Sequence, residues 1–177
     1  MAQDLDKALE FLLEEEGGWS NHKADTGGAT MYGVTQATYN QYRKAKGLSQ
    51  QSVRKITKEE SRDVYATLYW KAAGCDKLPW PVSYIVFDAA VNSGPKRGVE
   101  WMQAALGLQA DGAVGPKTIA VAQKVVREGD GKALLEMVDR RATFLARLVQ
   151  GKPSQAAFLL GWWRRTLRVL ARALLSD

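Results

Sequence analysis

The sequence predicts a mainly α-helical fold, a helical bundle carrying one small glycine-rich β/loop region. Three observations lead there. Apolar residues recur at three- and four-residue spacing through most of the 177 residues. Gly, Pro and capping residues fall between those periodic segments, and no series of alternating strands, internal repeat or low-complexity tract interrupts them.

Taken in order, Leu5, Ala8, Leu9, Leu12 and Leu13 make residues 4–16 an amphipathic helix that Gly17-Gly18 stops. Trp19 to Thr35 reads as glycine-rich loop with room for a short hairpin. Thr35 has the character of an N-cap for a helix over Gln36 to Lys46. A Thr57/Glu60 capping box starts a helix over Lys58 to Trp70, and Pro81 starts one over Val82 to Ser93. Further helices are predicted at Arg97 to Leu106, Pro116 to Arg127, Gly131 to Gln150 and Trp162 to Leu175.

A chain of this length can bury a core without metal or disulfide support. Cys75 is the sole cysteine and His22 the sole histidine, which excludes an internal disulfide and the usual Cys/His zinc site. Cys75 reads as a buried structural thiol. The longest apolar run, "AAFLLGWW", is too short to span a bilayer. The N-terminal "MAQDLDKALEFLLEEE" has neither a positive n-region nor a cleavage site, so the chain is expected to start in the cytoplasm.

Net charge is +6 and unevenly placed: residues 1–126 hold 15 Lys+Arg against 14 Asp+Glu, and residues 127–177 hold 10 against 5. Such a patch suits a polyanion: nucleic acid, an anionic membrane surface or an acidic cell-wall polymer. Nucleic acid fits poorly, because the positive charge is interleaved with leucines on one terminal helix and no binding motif accompanies it.

The stretch "EEEGGWSNHKADTGGATMYGVT" poses the chemical question, since it packs three consecutive glutamates, an aspartate and the histidine around four of its glycines. At 100° per residue with Leu5 at zero, the apolar stripe centres near about 10°; Glu14 falls near about 180°, Glu15 near about 280° and Glu16 near about 20°. Only Glu16 points along the stripe. A carboxyl half sunk in apolar surroundings, beside the negative end of the helix dipole, has its pKa raised and can act as a general acid. The competing reading is that Glu16 snorkels out or bonds a loop amide. Asp25 and Thr30, nine and fourteen residues on, complete a layout in which a protonated acid faces a solvated aspartate that activates water, as in inverting glycosidases.

Four blocks, "EGGWSNHKADTGGATMYGVT", "YATLYW", "FDAAVNSGPKRGVEWMQ" and "DGAVGPKT", in this order, resemble the N-acetylmuramidases of glycoside hydrolase family 108, the phage endolysins and prophage-derived lysozymes. The resemblance spans roughly residues 9–170. It implies a lysozyme-like fold, hydrolysis of the β-1,4 bond between N-acetylmuramic acid and N-acetylglucosamine without a cofactor, and a catalytic Glu immediately before the paired glycines, which is Glu16. It further implies a catalytic region over residues 1–94 and a helical C-terminal region over 95–177 resembling a peptidoglycan-binding module, packed together as one compact unit. In the small phage lysozymes five residues separate the aspartate from the water-positioning threonine; here four separate Asp25 from Thr30. Thr26 is too close to the aspartate, which leaves Thr30 for that role.

Trp19, Tyr32 and Trp70 are candidates to stack on sugar rings, against core packing as the default for the "VYATLYW" cluster. His22 fits substrate contact or plain exposure better than a metal site. Asn92 either contacts an N-acetyl group or pairs with Asp88, four residues earlier on the same helix. "DGAVGPKT" is a turn and a Pro-initiated helix that needs no ligand, with wall contact as a secondary role. In "WWRRTLRVLARALLSD", Trp163, Leu167, Leu170 and Leu174 form an apolar face and Arg164, Arg165, Arg168 and Arg172 a cationic one. The leucines are expected to close the core and the arginines to face solvent, where they could dock on lipopolysaccharide phosphates or anionic lipid. Three classes therefore stand: a monomeric muramidase acting on peptidoglycan, a lytic transglycosylase, and a non-catalytic wall-binding module. With no signal segment, export is expected through a holin-like pore or a dedicated secretion route.

Overall fold

The computed structural model describes residues 2–15 and 30–175, in two units over residues 1–71 and 72–177. These residues form eight α-helices and one two-stranded sheet. The mainly helical class predicted from periodicity, with the lysozyme-like fold that the resemblance implies, is what the chain adopts.

In the first unit, α1 (Ala2–Glu15) buries Ala8, Leu9 and Leu12 and leaves Glu14 exposed, as the apolar stripe predicts. Its Asp6 is ion-paired with Arg62. β1 (Thr30–Met31) and β2 (Val34–Thr35) pair antiparallel, Thr30 with Thr35 and Met31 with Val34. Only Tyr32 and Gly33 remain to turn the chain, and both have positive φ, 52° and 72°. That is the mirror-image turn whose twist matches a right-handed strand pair, and glycine takes the left-handed geometry without steric cost. Tyr32 adopts it at a cost that the hydrogen bond from the Tyr65 hydroxyl to its carbonyl, 3.0 Å, helps to hold.

Thr35 caps α2 (Gln36–Ala45), its hydroxyl accepting from the Thr38 amide, and the Thr57/Glu60 capping box opens α3 (Lys58–Tyr65). Tyr39 and Tyr42 of α2 are buried, so their hydroxyls need partners. The Tyr39 hydroxyl donates to both Glu60 oxygens at 3.1 Å, and that of Tyr42 donates to Asp63 at 2.5 Å. The helix predicted to run on to Trp70 gives way at Ala66 to a wider π-type turn over Ala66–Lys71.

The second unit is built around α4 (Val82–Ser93), buried from Val82 to Ala90. A helix apolar on all sides must be surrounded. α5 (Pro95–Ala105), α7 (Gly131–Gly151) and α8 (Ala156–Leu175) all pack on it. α5 approaches closely at Gly98, where a Cβ would lie 3.0 Å from the Val86 carbonyl oxygen. α6 (Pro116–Arg127) begins at the predicted proline, behind a loop held by the buried Gln103 side chain. Gln103 donates to Asp111 at 2.6 Å and to the Ala113 carbonyl at 2.9 Å, and accepts from the Gly112 amide at 2.8 Å. "DGAVGPKT" thus opens with a turn whose Gly112 amide and Ala113 carbonyl are satisfied from inside the protein. Cys75 is buried, and burial pushes its thiol pKa up, as suits an inert structural thiol.

Candidate active site

Glu16, Trp19, His22 and Asp25 lie outside the described residues. In the sequence that stretch runs between the end of α1 and the β1–β2 hairpin. In α1, Ala8, Leu9 and Leu12 are buried, so its apolar stripe is the inward one. Thr30 is the first residue of β1, half-buried and opposite Thr35. Tyr32 sits at the turn two residues on, so the hairpin brings Thr30 and Tyr32 together on one short rigid element.

Trp70 requires a correction. It is 3% exposed, which leaves no open ring face for a sugar to stack on, and it serves the core like Tyr65 beside it. The aromatic spacing of "VYATLYW" marked both roles, and burial decides between them.

Asn92 is exposed on α4, and its amide donates to the Asp88 carbonyl at 2.8 Å and, more weakly, to the Asp88 carboxylate at 3.4 Å. The carboxylate itself is engaged elsewhere. Arg165 reaches Asp88 Oδ2 through Nε at 3.0 Å and Nη2 at 2.9 Å, and Arg141 of α7 bonds Oδ1. Burial by itself would raise the Asp88 pKa; the two guanidiniums outweigh it and hold the carboxyl below its usual range. This triad was missed from sequence, although its signal was present. An aspartate in the middle of a helix apolar on every side demands a buried cation.

The C-terminal helix corrects a second expectation. Arg165 does not face solvent, because it is the partner of Asp88, and Arg172 is half-buried with its guanidinium bonded to the Tyr84 hydroxyl. Arg164 and Arg168 are exposed. The apolar face is reversed as well: α8 buries Thr166, Val169 and Ala173, while Trp163, Leu167 and Leu174 point outward. The cause is close packing, since the smaller side chains let α8 approach α4 and α7, and Asp88 draws Arg165 in with them.

Among the described residues, no group of three or more His, Cys, Asp or Glu side chains could hold a metal ion. The described site residues can offer a hydroxyl at Thr30, an aromatic ring at Tyr32 and an amide at Asn92, which are groups that bind and orient a sugar or a water.

No curated protein matches the chain. The family model for glycosyl hydrolase 108 matches residues 9–94, and that for a predicted peptidoglycan domain matches residues 97–167. The solved structure of SagA from Brucella abortus is similar over 98% of this chain and 95% of its own, with a TM-score of 0.81 and 32% identity. On these matches, and on a helical fold with one small hairpin beyond the first helix, the chain belongs to the glycosyl hydrolase 108 family and is a lysozyme-type glycoside hydrolase of peptidoglycan.

Proposed function

We propose that the protein is an N-acetylmuramidase that cleaves the β-1,4 bond between N-acetylmuramic acid and N-acetylglucosamine with inversion, using Glu16 as general acid and Asp25 as general base. The observation that carries this reading is the burial of the α1 stripe, which supports the one assignment among three adjacent glutamates that a raised pKa requires. Glu16 gives its proton to the glycosidic oxygen as the bond to the anomeric carbon breaks. Asp25 takes a proton from a water that attacks that carbon from the opposite face, and Thr30 orients the water. In an inverting enzyme the two carboxyls stand about 6.5–9.5 Å apart, leaving room for this water; near 5 Å one of them would be a nucleophile.

Trp19, His22, Tyr32 and Asn92 are the groups proposed to contact the saccharide, and the region from residue 95 onward to add wall contact. The setting proposed is bacteriolytic, in a phage or prophage, with a monomer reaching the wall through a holin-like pore or a dedicated secretion route. An anionic surface, lipopolysaccharide or lipid, is a second partner in this reading.

Product analysis on purified peptidoglycan tests the proposal. Reducing muramic acid ends are expected, with the inverted anomer formed first by NMR. Anhydro sugar products would instead identify a lytic transglycosylase, and absence of any cleavage a wall-binding module.

A further inference from the structure

Most of the large apolar side chains exposed among the described residues lie on α8. Leu160, Trp163, Leu167 and Leu174 are 62%, 45%, 59% and 52% exposed. Their spacing of three, four and seven residues puts them in one stripe along the helix axis. Thr166, Val169 and Ala173, on the other side, already supply the contact with the protein, so the core makes no claim on this stripe. A contiguous apolar strip of this kind marks an interaction surface.

Charge identifies the occupant. Arg164 and Arg168 are exposed on the flank of the stripe. From Arg140 to Ser176 the sequence has eight Lys and Arg and no Asp or Glu. A second copy of the chain fits poorly, because a twofold pairing of the stripe with itself would set Arg164 and Arg168 against the same residues of the other copy. No helix among the described residues is long and apolar enough to cross a membrane. A helix that lies in the plane of the interface needs only what α8 presents: an apolar strip facing the acyl chains, an indole at the boundary and cations level with the headgroups.

We propose that the outer face of α8 is a docking surface for an anionic phospholipid bilayer, with Leu160, Trp163, Leu167 and Leu174 inserted at the headgroup boundary and Arg164 and Arg168 on the lipid phosphates. Arg165 and Arg172 take no part, being committed to Asp88 and Tyr84. The surface rests on the anionic partner proposed above and narrows it to a phospholipid bilayer; it does not depend on the hydrolytic reaction and would hold the enzyme at the membrane face of the wall.

Co-sedimentation of the full chain with vesicles tests it, since vesicles hold no glycan and the result stands apart from hydrolysis. Binding is expected to mixed phosphatidylglycerol/phosphatidylethanolamine vesicles, at least tenfold weaker binding to phosphatidylcholine, and release by high salt. Leu160→Gln/Leu167→Gln/Leu174→Gln and Arg164→Gln/Arg168→Gln should each lower vesicle binding at least tenfold while keeping the helical circular dichroism. Failure to sediment with anionic vesicles, or equal binding by both variants and the parent, would overturn the proposal. So would binding to lipopolysaccharide micelles without binding to phospholipid, or a dimer that the triple leucine variant abolishes in a protein that ignores vesicles.

Discussion

Arg165 of α8 clasps the Asp88 carboxylate of α4 from a distance of 77 residues along the sequence, with two nitrogens within 3.0 Å of Oδ2. A second guanidinium, that of Arg141, takes the other oxygen. One buried charge therefore joins three helices of the second unit.

Removing that charge should be costly. Asp88→Ala leaves two guanidiniums at a buried position without their anion, and a loss of about 3–5 kcal/mol is expected for breaking such a site from one side. Asp88→Asn keeps hydrogen bonding and should cost less. Urea denaturation followed by circular dichroism measures both. A loss under about 1 kcal/mol for Asp88→Ala, the range of exposed ion pairs, would show that the site is solvated.

The same site sets an acid limit. Because the folded carboxyl titrates below its unfolded value of about 3.9, its contribution is complete above that pH and declines as pH falls through the lower, folded value. At the alkaline end Tyr84, pushed up to about 12 by burial and by the charge of Asp88, acts in the opposite sense. Its contribution is complete below about 10 and is lost as pH rises through the folded value. Melting temperature against pH should fall at both ends, and Asp88→Asn should flatten the acid fall.

Gln103 should matter out of proportion to its size. Gln103→Ala removes the side chain that satisfies the Gly112 amide and the Asp111 and Ala113 oxygens, and about 1–3 kcal/mol is expected for leaving such groups unpaired. Faster hydrogen exchange at the Gly112 amide, with the exchange of α4 slowed by the core as before, would distinguish local loosening from global unfolding.

Activity separates the proposed catalytic groups. Glu16→Gln should lose at least a hundredfold in turnover with the fold retained, since an amide cannot protonate the leaving oxygen; general acid–base groups contribute roughly 10²–10⁴-fold. Asp25→Asn should be comparably impaired, and Thr30→Ala milder than either. Full turnover in Glu16→Gln, with Glu14→Gln or Glu15→Gln impaired instead, would show that another acid does the work.

Local sequence signals translated well where they are self-contained. The Thr57/Glu60 box, the Thr35 cap and Pro116 each involve atoms within one helical turn, and each stands where predicted. Periodicity found all eight helices, yet it placed the start of α8 at Trp162 and not Ala156, and it could not foresee the wider turn after Tyr65. It also cannot tell which of two apolar arcs faces inward. On α8 the larger residues, Leu167 and Leu174, yield to Val169 and Ala173, because depth is set by how closely α4 and α7 allow approach. Trp70 and Arg165 were legible as residue types but not as roles, since burial and a partner 77 residues away are tertiary facts.

The separation of Asp88 from Arg165 also has a meaning in time. A ribosome adding about 5–20 residues per second needs roughly 4–15 s to travel the 77 residues between them. Throughout that interval the newly made α4 carries a carboxylate whose second guanidinium does not yet exist, and burying it early would leave Oδ2 without the two hydrogen bonds that Arg165 supplies. Water is then the better surroundings for Asp88, and its buried site is complete only once α8 has been made. The last helix to be synthesised is the one that completes the surroundings of the central helix.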